Sequence, residues 1–209
     1  MGKRTVTVTG SGHSSVTPDV VRLDLRVGHE ADDVAAALAG AAAGIAAVGR
    51  VVREHGVADA DIRTLDAGVS QRYDHHSGTA SGFTAQQRLG VTVRRPESVG
   101  DLLEAAAAAV GNALLVDQVR LDVSDRSAGL ARARDAAFAD ARRTAQQYAA
   151  LAETRLGAVL EVVEGAAASH GRPGAMMEQA MAVGSLGGMP VEGGDLDLGA
   201  TVTVQWELR

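Results

Sequence analysis

Cysteine is absent from the 209-residue chain, which excludes disulfides, thiolate metal sites and a cysteine nucleophile. Aromatic residues make up only 2%, so valine, leucine and alanine have to fill the core. A basic surface is missing as well. Twenty Lys and Arg against 26 Asp and Glu leave a net charge of −6, and a general nucleic-acid binder needs cationic surface to displace counterions. No nucleic-acid partner is therefore expected. The longest apolar run is read as Ala105 to Val116, interrupted by Gly111 and Asn112 and too short to span a bilayer. No membrane span is expected. Met1-Gly2-Lys3-Arg4 leads straight into strand-like alternation, without an apolar leader or cleavage site. As written the chain reads as cytoplasmic, and as periplasmic or exported if a leader has been removed.

What is present is periodicity. Residues 127–152 fit a helix, with Leu130, Ala137, Phe138, Ala141, Ala145, Tyr148 and Ala152 on one face. Arg132, Asp135, Arg142, Arg143, Gln146 and Glu153 take the other face, and Arg134 alone intrudes on the apolar one. A stripe this rich in alanine lets the helix lie close against a sheet. Ser124 or Asp125 is placed to cap its start. A second helix begins at Asp32-Asp33, with the stripe Val34, Leu38, Ala41, Ile45, Val48 and Val52. Its Gly40, Gly44 and Gly49 are not all explained by close packing. A short helix runs through Leu102, Leu103, Ala106 and Val110, and Ser98 with Asp101 before it resembles a capping box.

Strands alternate around these helices. Thr5–Thr9 is followed by Gly10-Ser11-Gly12, read as a tight turn, and Pro18-Asp19 introduces Val21, Leu23, Leu25 and Val27. Ile62 to Tyr73 and Phe83 to Arg94 form a hairpin around a polar loop. Leu115 to Val123, Ala158 to Glu164 and Leu198 to Leu208 complete the set. Residues 165–197, rich in glycine and methionine, read as a mobile loop. Val21-Arg22-Leu23-Asp24-Leu25 is echoed by Val119-Arg120-Leu121-Asp122-Val123. The fold class is thus α+β: one domain over 1–209, an antiparallel-rich sheet with two long helices and one short helix on one face. Strand–helix–strand–strand halves at 16–95 and 113–209 would fit the echo.

The order of certain residues resembles the SIMPL-domain family, a bacterial group with animal relatives. The matching positions are Gly10-x-Gly12, Pro18-Asp19, Asp61-Ile62-x-Thr64, Tyr73, Gly82-Phe83, Asp140-Ala141, Ala145, Leu156-Gly157-x-Val159 and Glu164. The resemblance implies an α+β fold and a tendency to assemble, and it carries no catalytic residues. It also implies loose association with envelope or oxidative-stress phenotypes in bacteria and with a kinase pathway in animals.

Few clusters point to chemistry. Asp74-His75-His76 holds the densest set of metal donors; on a strand the two imidazoles would point apart, whereas tips from several chains could share an ion. His170 with Met176, Met177, Met181 and Met189 offers soft donors or an adaptable contact surface. Gly10-Ser11-Gly12 lacks the third glycine and the helix of a dinucleotide loop. His13-Ser14-Ser15 has no activating neighbour. The expectation is a non-enzymatic protein without cofactors, a homo-oligomer that works through subunit and protein-partner contacts in a stress response. Tyr73, His75, His76, Phe83, Met176, Met177 and Met181 are the contact candidates. The alternative is a metal- or small-molecule-binding protein of stress defence, with His75 and His76 as ligands.

Overall fold

The computed structural model describes residues 4–74, 76, 78–165 and 194–209. The α+β class holds, but the strands form two antiparallel sheets rather than one. They belong to two compact units, whose described residues are 4–17, 125–165 and 194–209 in the first, and 18–124 apart from 75 and 77 in the second.

The first unit contains β1 (Thr5–Val16), α3 (Ser127–Leu151), β6 (Leu156–Glu164) and β7 (Leu196–Leu208), with strand order β1-β7-β6. β1 and β7 pair without a break from Thr5↔Glu207 to Val16↔Leu196. Their alternation explains the match: Val8 on β1 and Val202, Val204 and Trp206 on β7 all turn towards α3 and are buried. Gly10-Ser11-Gly12 is therefore not a turn but the middle of a strand. The reason is the helix. A β-carbon on Gly10 would lie 2.8 Å from the Ala141 methyl and closer still to the backbone at Ala137 and Ala141. One on Gly12 would lie 2.8 Å from the Ala136 carbonyl carbon and closer to Ala133 O and Ala137 N.

This close approach also sets the helix rotation. The buried row is Gly129, Ala133, Ala137, Ala141, Ala145 and Ala149, an i, i+4 series of small residues. The expected stripe is rotated accordingly, with Tyr148 exposed and Phe138 at the margin. Phe138 stacks obliquely on Trp206, ring centres 6.1 Å apart. Arg134 is held at the rim by Glu164, Nε to Oε1 2.7 Å.

The second unit contains β2 (Val20–Ala31), α1 (Val34–Glu54), β3 (Ile62–Tyr73), β4 (Ala80–Val93), α2 (Val99–Val110) and β5 (Leu114–Asp122), in the order β3-β4-β2-β5. Val21, Leu23, Leu25 and Val27 of β2 are fully buried against Val48, Val52 and Leu102. Asp33 caps α1 by accepting from Ala36 N at 2.9 Å. The buried face of α1 is Ala37, Ala41, Ile45, Val48, Gly49 and Val52, so Val34 and Leu38 fall outside it. Of its glycines, Gly40 makes room for the His29 ring and Gly44 for Val27. α1 is also long and apolar enough to cross a membrane by length and composition. Its charge-free stretch, Val34 to Gly49, outruns Ala105–Val116, so that reading chose the wrong segment. Ser98 does not cap α2; its hydroxyl donates to Arg95 O instead.

The expected halves are rearranged. β2-α1-β3-β4 forms the sheet order β2-β4-β3, and the matching set is β1, α3, β6 and β7 in the order β1-β7-β6. β1 thus takes the place expected for β5, and the described residues of the second unit are inserted in sequence between β1 and α3. The echoing segments pair with one another antiparallel, Val21↔Leu121 and Leu23↔Val119.

Candidate functional site

The β3–β4 connection folds tightly on itself. Asp74 N donates to Thr79 O at 2.9 Å, Gly78 N to Asp74 O at 2.8 Å, and His76 N to the Asp74 carboxylate at 3.0 Å. Tyr73 is 55% exposed, its hydroxyl donating to Gln71 at 2.9 Å. His76 is exposed at the tip. Phe83 packs inward instead, against Ala37, Ala41 and Ala85, so its ring serves the fold. His75 lies outside the described residues, as do His170, Met176, Met177, Met181 and Met189. Among the described residues no three His, Asp or Glu side chains gather where they could hold an ion.

The face of the second unit's sheet away from its helices carries a lattice of arginines and aspartates. Its register sets Arg22 opposite Arg120 and Arg26 opposite Arg88, like charges that repel across a ladder. Acids offset most of this. Arg22 Nε reaches the buried Asp122 carboxylate at 2.5 Å, and Arg22 Nη1 lies 3.5 Å from Thr92. Arg26 pairs with Asp117 and donates to Gln86 at 3.1 Å; Arg88 pairs with Asp66. Arg26, Asp66, Gln86, Arg88 and Asp117 line a shallow groove of about 400 Å³. Its charges are mutually engaged, and among the described residues no lone base or nucleophile stands over it. Arg120 differs, being exposed and without an ion pair among the described residues. Alternation in the sequence puts Arg22, Asp24 and Arg26 on one face, but it does not show their pairings.

Among the described residues, two strand edges expose adjacent aliphatic side chains. β6 is an outer strand of its sheet, and Val159, Leu160, Val162 and Val163 are 42–52% exposed on both its faces. β5 is an outer strand of the other, with Leu115 and Val116 exposed. Beside it, Leu103 and Ala107 of α2 and Leu114 and Val116 of β5 line a groove of about 440 Å³. The sequence showed these residues as ordinary strand positions; only the strand order reveals them as edges.

A family model described as "SIMPL: Protein of unknown function (DUF541)" matches residues 6–206. The chain belongs to the SIMPL family. No curated protein matches it.

The positions that carry the SIMPL resemblance have structural tasks here. Gly10 and Gly12 admit α3. Asp19 accepts from Ser124 Oγ at 2.5 Å and Ser124 N at 2.7 Å, which ties together two chain segments just inside the second unit's boundaries. The Ser124 hydroxyl, then its amide, hold the Asp19 carboxyl below its ordinary range. Asp61 grips Arg94 through both oxygens, 2.7 and 2.8 Å, and raises the arginine's pKa. Asp140 on α3 accepts from Ser11 N of β1 at 3.1 Å. That amide, then Arg143, lowers the Asp140 pKa. Gly82 sits at φ +123°, and a β-carbon there would lie 2.6 Å from Ala31 O. Asp125 accepts from Ser127 N at 2.8 Å at the start of α3, and its pKa is lowered by that bond.

Proposed function

We propose that this SIMPL protein is non-enzymatic, assembles with copies of itself and acts through subunit and protein-partner contacts, in a stress response. The observation that carries this reading is β6, an outer strand bearing four half-exposed valine and leucine side chains. A strand edge offers unpaired amides and carbonyls, and exposed apolar side chains on it favour pairing with another chain. The fate of the family's carboxylates supports the same reading. Asp19, Asp61, Asp140 and Glu164 are each engaged by a backbone amide, a hydroxyl or an arginine. Groups so engaged hold the fold together and are poor candidates for acid–base chemistry.

The test is a double replacement, Val159→Lys with Val162→Lys. It leaves the buried row of α3 untouched and puts charge on the β6 surface. Light scattering should show the wild type as an assembly and the variant shifted towards the single chain. Equal masses for the two would remove β6 from the interface.

A further inference from the structure

We propose that the groove between α2 and the open edge of β5 takes an extended peptide from a partner protein. The peptide would alternate apolar and acidic side chains and add a strand to the second unit's sheet. This extends the partner-contact part of the function proposed above and does not involve β6.

Three observations converge on this edge. First, β5 is paired with β2 on one side only and ends its sheet. Second, among the described residues the side of β5 facing α2 is left uncovered: Val116 is 39% exposed, and with Leu103, Ala107 and Leu114 it lines a mostly apolar groove, with Glu104 on its α2 side. An added strand would set every second side chain against this groove. Third, the intervening side chains would fall on the opposite face, beside Arg120. That arginine has no ion pair among the described residues and stands across the ladder from Arg22, whose Nε is engaged by Asp122. A carboxylate on the incoming strand would meet this lone cation, so charge complementarity selects an acidic partner.

A second copy pairing through β5 about Arg120 would set two arginines opposite each other, like charges that repel across a ladder. A strand bearing a carboxylate at that place meets Arg120 with opposite charge.

The test is fluorescence anisotropy with a labelled peptide of about eight residues alternating valine and glutamate. A valine–lysine peptide of the same length is the control. The full chain should bind the glutamate peptide saturably and the lysine peptide about tenfold more weakly. Arg120→Glu should reverse that preference. Val116→Gln should weaken the glutamate peptide about tenfold, consistent with loss of one apolar contact. Both positions are exposed, and circular dichroism checks that the variants fold. No saturable binding at millimolar peptide, equal binding of the two peptides, or a preference that Arg120→Glu leaves unchanged would overturn the proposal. The mass of the same samples separates the two ideas. An assembly that ignores the peptide removes this groove and leaves self-assembly standing; a monomer that binds it does the reverse.

Discussion

Replacing Gly12 by alanine adds one methyl group where α3 meets β1. The new carbon would stand 2.8 Å from the Ala136 carbonyl carbon and nearer to Ala133 O and Ala137 N. Real β-carbons essentially never come within 3.0 Å of such atoms, and these belong to a helix backbone that cannot swing aside. Relief requires α3 to move back by about 1 Å, a gap that forfeits roughly a quarter to a half of each dispersion contact along the row. Ala133, Ala137, Ala141 and Ala145 all lie in that row and are fully buried. Overpacking of this kind costs about 1–3 kcal/mol. The reduced freedom of the unfolded chain returns about 0.4–1 kcal/mol. The expected net loss is about 1.3 kcal/mol, with a melting temperature lower by roughly 5–10 °C for a unit under a hundred residues. Urea denaturation followed by the emission of Trp206, the only tryptophan and part of the first unit's core, reads this loss. Gly68→Ala in β3 is the control, because nothing lies within 4 Å of its added carbon. A Gly12→Ala midpoint equal to that of the wild type would refute the close approach of α3.

Further outcomes follow from the same contacts. Asp19, Asp125 and Asp140 have folded pKa values below their unfolded ones, so the folded state binds fewer protons as pH falls through the acid range. Their stabilisation is full above the unfolded carboxylate value of about 3.9 and is lost as pH drops through the lower folded values. Urea midpoints taken from neutral pH downward should therefore fall below about pH 4, and Asp19→Asn with Asp140→Asn should flatten that limb. An unchanged limb in the double variant would contradict the assigned hydrogen bonds. Phe138→Leu removes the oblique stack on Trp206 and should cost roughly 0.5–1.5 kcal/mol beyond the lost area, with a red-shifted emission. An unshifted spectrum would place the ring elsewhere.

Much of the fold was legible because alternation reports a strand whatever it pairs with. The spacing of Val21, Leu23, Leu25 and Val27 puts them on one face, and all are buried. Their partners were not legible. β1 and β7 lie at opposite ends of the chain, and nothing local marks one for the other, so a single sheet was expected where two exist. Gly10-Ser11-Gly12 misled because glycine pairs are common in turns; here the missing side chains admit a helix. The clue was the small-residue row Gly129, Ala133, Ala137 and Ala141, complementary to those glycines but distant in sequence. Centring the buried face on that row leaves Tyr148 outside the core. The interaction surfaces were the least legible part. Val116 and Val162 read as ordinary strand residues, and only the strand order makes them edges. Arg120 was seen in the echoed segment, but its lack of an ion pair depends on the register with β2.

The solution mass of the purified chain tests the proposed mode of action most directly. One chain weighs 21.3 kDa. Sedimentation equilibrium at micromolar concentration should give a well-defined multiple of that mass, held together through the β6 edge. A single species at 21.3 kDa across the whole range would contradict a protein that works by joining its own copies.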